Sequence, residues 1–118
     1  MKSFDRRLWT VAAILGALGV LLGAFGAHGL QQVTDDARRL AVWRTASFHH
    51  LVHSVVLLAA AHHPDRPTWG PRCLIAGIVV FSGSLYTLAL TGMGMLGAIT
   101  PIGGVLFVVG WILLARGT

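Results

Sequence analysis

Long apolar runs, separated by short polar stretches, dominate the chain and predict membrane-spanning helices. Three runs contain no charged residue and approach the length that a bilayer requires: about 8–27, 73–90 and 95–115. A hydrocarbon core about 30 Å thick needs about 20 residues of helix. We therefore expect each of these three runs to cross a membrane.

A fourth run, about 42–61, is less apolar, and the distribution of charge decides whether it crosses. If it crosses, both termini share a side that carries six basic residues, against three on the other side. If it does not cross, the split reverses. Basic residues collect on the cytoplasmic side of membranes, which favours four spans with cytoplasmic termini. The larger group is Lys2, Arg6, Arg7, Arg66, Arg72 and Arg116, and the smaller group is Arg38, Arg39 and Arg44.

The polar stretch LQQVTDDARRLAVWRT precedes this fourth run and predicts where its helix begins. Thr34 or Asp35 is a suitable N-cap residue, because its side chain can accept a backbone hydrogen bond from the first turn. Trp43 and the nearby arginines are typical of the headgroup region. We expect a helix that begins at the membrane surface and continues into the bilayer.

Composition supports a membrane protein and excludes other classes. Of 118 residues, 55% are hydrophobic and only 11% are charged, whereas a soluble domain carries about a quarter charged residues. The net charge of +5 comes from basic residues at the ends of apolar runs, so we exclude nucleic-acid binding. The first run also has the flanks of a signal peptide, but its length favours a retained span. We expect one all-α integral membrane domain over residues 1–118.

Small residues recur at intervals of three, four and seven, which predicts close helix packing. Stripes of this kind let helix backbones approach closely in lipid. The stripes can pack within a four-helix monomer, or one of them, most naturally that of the first helix, can build a homo-oligomer. The glycines concerned are Gly16, Gly19, Gly23 and Gly26 in the first helix and Gly103, Gly104 and Gly110 in the fourth.

Polar residues inside the predicted spans are the candidates for function. In FHHLVH, helical geometry places His49, His50 and His53 within an arc of about 100°. These side chains can hydrogen-bond neighbouring helices, line a polar path, or, together with His28, ligate a metal or haem. His28 is equally explained as a favourable charge at the end of the first helix. The polar interior is predicted to consist of His28, His53, Ser82, Ser84 and Tyr86.

Several motifs occur in the order found in a known family. GAFGAHGL, FSGSLY, TPIGG and the pair Gly110–Trp111 resemble the uncharacterised inner-membrane family of the YgdD and YwdK type, a domain of unknown function with a small mitochondrial TMEM-type relative in animals. The resemblance covers about 15–115 and implies a small multi-spanning protein of the bacterial plasma membrane, with no established activity. His28 and His53 match the family pattern, whereas the family usually has a Tyr-Gln pair where this chain has His49 and His50.

Three functions follow from these observations. The first is a non-enzymatic, oligomeric membrane protein that binds or passes a small ligand, or supports a larger complex. The second is a metal- or haem-binding membrane protein that uses the histidines, and the third is a structural scaffold. No serine has an acidic partner for catalysis. The sequence identifies no cofactor, and no partner beyond the lipid bilayer and further copies of the chain.

Overall fold

The computed structural model describes residues 4–65 and 67–117 and consists of four long helices. The prediction of an all-helical chain is confirmed. A short 3₁₀ turn at Leu30–Gln32 connects the first two helices, and another at Gly94–Ala98 connects the last two. The helices are α1 (Arg6–His28), α2 (Ala37–His62), α3 (Trp69–Thr91) and α4 (Thr100–Arg116). Within α3, Ile78–Ser82 forms a π-helical turn.

The start of α2 lies one residue beyond the predicted positions. Asp36 is the N-cap, and its carboxylate accepts from the backbone N–H of Arg38 at 2.8 Å. Thr34 supports this cap from outside the helix, because its hydroxyl oxygen accepts from the N–H of Asp36 at 3.1 Å. The predicted cap at Thr34 or Asp35 is therefore wrong by one or two residues, although the type of signal is right.

The end of α3 is held by an arginine from α2. Helix ends leave backbone carbonyls without an intrahelical partner. Arg39 satisfies two of them: its Nε donates to the carbonyl of Ala89 and its Nη2 to that of Leu90, both at 2.8 Å. Gly92 then ends the helix with φ 73°, a left-handed conformation that favours glycine.

The helices alternate in direction, so that the starts of two helices and the ends of the other two lie at each end of the bundle. The N–H of Asp5, just before α1, donates to the carbonyl of Ala61 near the end of α2 at 2.9 Å. Gly70, at the start of α3, contacts Leu114 near the end of α4. We call this the terminal end of the bundle. At the other end, called the distal end, α1 and α3 finish and α2 and α4 begin.

The glycine stripe of α1 faces α2 within the same chain. A Cβ atom added at Gly19 would lie 2.7 Å from the Leu51 side chain, and one added at Gly26 would collide with the Trp43 indole. Gly16 lies against Ser54, with 3.9 Å between the added Cβ and the serine Cβ. The stripe is therefore largely used inside the monomer, and the expectation that it builds an oligomer stays a prediction.

The glycines of α4 pack against α3 even more closely. A Cβ added at Gly103 would collide with the backbone of Phe81, within the π-helical turn. One added at Gly110 would lie 2.6 Å from Leu74, whereas one at Gly104 would meet only the Phe81 ring edge at 4.0 Å. Two of the three predicted packing glycines of α4 therefore make the close approach.

Trp43, which the sequence predicts at headgroup depth, is buried between helices. Its side chain is 2% exposed, and its indole Nε1 donates to the carbonyl of Leu22 at 2.7 Å. The ring packs against Phe25 and Tyr86, with centroids 5.3 and 4.6 Å away. The space left by Gly26 admits the indole, which explains its burial between α1 and α2.

Three described segments are long and apolar enough to cross a membrane: Arg6–His28, Trp69–Thr91 and Gly94–Arg116. The helix α2 does not meet this measure of hydropathy. Several polar side chains in its middle point into the bundle, where His50 and His53 are each 4% exposed. Its outward face carries Phe48 and Val55, which are 64% and 62% exposed. The low hydropathy of α2 thus reflects buried polar groups.

Candidate functional site

Polar side chains gather in the interior, where α2 meets the other three helices. In the described part of the chain, every buried side-chain nitrogen or oxygen has a hydrogen-bond partner. This matters because an unpaired polar group in an apolar interior is costly. The buried polar residues are Ser47, His50, His53, Ser54, Ser82 and Ser84.

His50 connects three helices through its two ring nitrogens. Nε2 lies 2.8 Å from the carbonyl oxygen of Leu15 in α1, and Nδ1 lies 2.9 Å from the hydroxyl of Tyr86 in α3. A carbonyl can only accept, so Nε2 carries a hydrogen. The Tyr86 hydroxyl also donates to the Oγ atom of Ser47, at the longer distance of 3.4 Å. Ser47, Tyr86 and His50 therefore form a short buried chain of exchangeable protons.

His53 is held in a different way, between α2 and α4. Its Nδ1 lies 2.7 Å from the carbonyl of His49, and its Nε2 accepts from the indole N–H of Trp111 at 3.1 Å. The carbonyl requires a hydrogen on Nδ1, and the indole, which can only donate, requires none on Nε2. The ring also stacks on Phe107, with centroids 3.7 Å apart and planes 7° apart. This arrangement fixes a neutral ring in one tautomer.

The predicted serines also join helices. Ser82, which is fully buried in the π-helical turn, donates to the carbonyl of Ala46 in α2 at 2.9 Å. Ser84 donates to the carbonyl of Phe81 at 3.0 Å and lies 2.7 Å from the hydroxyl of Thr100 in α4. Both serines thus fasten α3 to a neighbouring helix.

His28 does not belong to this interior. It is the exposed last residue of α1, at the distal end. Leu15, which bonds His50, lies thirteen residues earlier, a separation of about 20 Å along the helix. Of the predicted polar interior, His53, Ser82, Ser84 and Tyr86 each hydrogen-bond a neighbouring helix, at separate places in the bundle, and His28 lies apart from all of them.

The predicted metal set of His28, His49, His50 and His53 is not assembled. Both ring nitrogens of His50 and of His53 are engaged, which leaves none for a metal or haem iron. The His49 ring lies among aromatic rings, with that of Phe81 4.7 Å away. Within residues 4–65 and 67–117, no three His, Cys, Asp or Glu side chains are placed to hold a metal ion.

A pocket of about 360 Å³ opens between α1 and α2 towards the distal end. Gly23 forms part of its wall, and a Cβ added there would have nothing within 4 Å. Exposed Arg44 and Gln31 lie at its rim, while Ser47, which is 8% exposed, also lines it. Sequence reasoning missed this site, although Gly23 was singled out as a packing residue.

Three long apolar helices and an interior that satisfies its own polar groups define an integral membrane protein. The chain matches the family model described as "Protein of unknown function (DUF423)" over residues 22–104 and belongs to that family. The predicted resemblance is thereby confirmed.

The relatives of this chain are named as membrane proteins in bacteria and in a yeast. It is 47% identical to a UPF0382 membrane protein of Staphylococcus saprophyticus, over 92% of this chain and 96% of that one. Identity to UPF0382 membrane protein YwdK of Bacillus subtilis is 44%, over 88% and 92% of the two chains. A UPF0382 membrane protein of Schizosaccharomyces pombe is 40% identical, over 88% and 94%. No solved structure matches the chain.

Proposed function

We propose that this protein is a non-enzymatic ligand-binding protein of the bacterial plasma membrane, and that the pocket between α1 and α2 holds the ligand. The observation that carries the proposal is the position of Ser47. This serine lines the pocket and is at the same time the first member of the buried chain that leads through Tyr86 to His50. A ligand bound there would reach the polar interior without unfolding any helix.

Four transmembrane helices with cytoplasmic termini are part of this proposal. The alternating helices place Arg6, Arg7, Arg72 and Arg116 at the terminal end, which fits the cytoplasmic side. Lys2 and Arg66, which the charge count also used, lie outside the described residues. The 26 residues of α2 measure about 39 Å, and its outward Phe48 and Val55 suit a lipid environment. These features support a crossing by α2 despite its low hydropathy.

Binding is better supported than passage through the bundle. Beyond Ser47, the interior is filled by side chains that bond or stack with one another. The chain of hydrogen bonds through His50 ends at the carbonyl of Leu15. The stacked rings of His53 and Phe107 lie 3.7 Å apart. These contacts favour a site that is closed at its inner end.

The proposal is tested by filling the pocket. Protein in a non-ionic detergent is titrated with dihexanoyl phosphatidylglycerol and, separately, with dihexanoyl phosphatidylcholine, and bound lipids are counted by native mass spectrometry. We expect at least one of the two probes to form a saturable single adduct with the unmodified protein and to lose it in Gly23→Leu, because the leucine occupies the pocket. Gly83→Leu is the matched control, since a Cβ added at this helical glycine also has nothing within 4 Å.

Equal adducts in Gly23→Leu and Gly83→Leu would refute the pocket, provided that circular dichroism shows both variants folded. A structural scaffold is the second candidate function, because every described buried polar side chain already has a partner. The scaffold predicts no saturable adduct in any of these proteins.

We also propose a homo-oligomer, built on the outward face of α1 instead of its glycine stripe. Ala13, Ala17 and Ala24 are exposed on this helix and lie four and seven residues apart, a spacing that permits close contact between helices. Ala17→Leu should lower the native mass of the particle in detergent. Val105→Leu, on the exposed face of α4, should leave the mass unchanged. An unaltered mass in Ala17→Leu would exclude this face.

A further inference from the structure

The chain of Ser47, Tyr86 and His50 can exist in two hydrogen-bond arrangements. In the first, the His50 ring is neutral and its Nδ1 accepts from the Tyr86 hydroxyl, 2.9 Å away. The Ser47 hydroxyl then turns to donate to the oxygen of Tyr86, 3.4 Å away, whereas in the structure it accepts from Tyr86. The lone pairs of Ser47 then face the pocket. Because each hydroxyl has one proton to donate, the pocket meets Ser47 as an acceptor.

A proton that arrives from the pocket reverses all of these bonds. Ser47 takes the proton from the pocket and passes its own to Tyr86, and Tyr86 passes its own to Nδ1 of His50. The ring is now an imidazolium, whose two N–H groups donate to Tyr86 and to the carbonyl of Leu15. The Ser47 hydroxyl points into the pocket as a donor. No bond of His50 is lost, and the positive charge lies three groups away from the ligand.

The neighbouring groups leave His50 as the acceptor for this proton. His53, on the same helix, has one nitrogen on a carbonyl and the other on the indole of Trp111. From α1, Leu15 and Gly19 approach His50, and neither of them titrates. From α3, the approaching titratable group is Tyr86 itself, and α4 approaches His53 instead. The nearby His49 lies between the rings of Phe81 and Phe107.

The pocket itself favours negative charge. Of the described residues that line it, Arg44 alone is charged, and its guanidinium can donate two parallel hydrogen bonds to an oxyanion. We infer that the pocket binds a singly charged oxyanion, such as a phosphate diester, together with one proton that is stored on His50. This inference rests on the proposed ligand pocket and names the class of its ligand. The oxyanion can belong to a lipid headgroup or to a free small molecule.

Coupling to one proton fixes the sign and the limit of the pH dependence. The anion prefers the protonated arrangement, in which Ser47 donates to it, so affinity rises as the pH falls. Where the free protein is neutral at His50 and the complex is protonated, affinity changes by about tenfold per pH unit, the limit for one proton. Unperturbed imidazole titrates between pH 5 and 8, which is the range to examine.

The test measures proton uptake on binding. Dimethyl phosphate and dihexanoyl phosphatidylglycerol are phosphate diesters that stay singly charged throughout this range. Calorimetric titrations in two buffers of different ionisation enthalpy give the number of protons taken up. We expect uptake approaching one proton and an affinity that falls as the pH rises. Binding of dimethyl phosphate points to a free anion, and binding of the lipid alone points to a headgroup; either result supports the inference when it is accompanied by proton uptake.

His50→Gln is the decisive variant. Its amide nitrogen can donate to Leu15 and its amide oxygen can accept from Tyr86, so both hydrogen bonds persist while the proton store is gone. We expect it to fold and to bind the anion more weakly, with no proton uptake and no pH dependence between pH 5 and 8. His53→Gln, which can likewise donate to His49 and accept from Trp111, should keep the uptake of the unmodified protein.

The outcomes separate this inference from the proposed function. Binding that Gly23→Leu abolishes, but that takes up no proton or has the same pH dependence in His50→Gln, overturns the inference and leaves the pocket standing. Failure of every probe to bind the unmodified protein removes the pocket and the inference together.

Discussion

The two sides of α2 use similar residues for different ends. On the α1 side, a glycine stripe faces α2 and leaves a pocket beside Gly23. On the far side, α4 brings Gly103 against the backbone of α3 and stacks Phe107 on His53. One side has a pocket and the other is closely packed because different groups lie opposite the glycines. The large indole of Trp43 lies opposite Gly26 of α1, whereas the backbone of Phe81 in α3 lies opposite Gly103 of α4.

The histidines of the two sides differ in the same sense. His53 has a carbonyl on one nitrogen and an indole N–H on the other, so its protonation is settled by its partners. His50 has a carbonyl and a hydroxyl, and a hydroxyl can either donate or accept. On the closely packed side, the partners of His53 therefore allow only one protonation state. On the side with the pocket, the partners of His50 allow more than one.

The largest loss of stability is expected from adding one methyl group where α4 packs most closely against α3. In Gly103→Ala, the new Cβ would collide with the backbone of Phe81, which cannot rotate away as a side chain can. Overpacking of this kind costs about 3 kcal/mol, so the free energy of unfolding should fall by about that amount. Thermal melting in detergent, followed by circular dichroism, measures the change.

The neighbouring Gly104→Ala is the control, because both changes remove a helical glycine from α4. Its added Cβ lies 4.0 Å from the Phe81 ring, which is ordinary contact. We expect Gly104→Ala to melt like the unmodified protein or slightly later, since alanine favours helix by about 1 kcal/mol over glycine. Equal melting of the two alanine variants would show that α4 and α3 are not in backbone contact.

The helices were predictable because length and apolar character are properties of a continuous segment. The runs 8–27, 73–90 and 95–115 fall on α1, α3 and α4. The capping signal also pointed to a fourth helix, and α2 is that helix. Its crossing of the membrane, which the charge pattern favours, stays a prediction. These features depend on local sequence and on the thickness of a bilayer.

The partners of the polar residues were not predictable, because they depend on how each helix is rotated against its neighbour. Trp43 was predicted at headgroup depth from its neighbouring arginines, but the sequence did not show that Gly26 makes room for its indole between helices. His28 and His53 both match the family pattern, but His28 is not near the buried histidines. Leu15, which bonds His50, lies thirteen residues before His28 along α1. The pocket was invisible for the same reason, since it arises where a glycine of α1 has no atom opposite it.

A smaller effect on stability, with a clear spectroscopic consequence, is expected from unlocking His53. Trp111→Phe keeps an aromatic ring but removes the N–H that holds the Nε2 atom of His53. Hydrogen bonds between membrane helices contribute about 1 kcal/mol, so melting should shift by about a third of the Gly103→Ala effect. Trp69→Phe, at an indole that is 63% exposed beside Arg72, should shift it less.

The freed nitrogen makes the comparison between the two histidines directly measurable. In the unmodified protein, NMR of ¹⁵N-labelled imidazoles should show His53 neutral, with its hydrogen on Nδ1, from pH 5 to pH 8. In Trp111→Phe, Nε2 has lost its donor and can take a proton, so the His53 signals should now shift with pH. If His53 titrates equally with and without Trp111, the indole does not lock the ring. The contrast between the two sides of α2 would then have to be explained by packing alone.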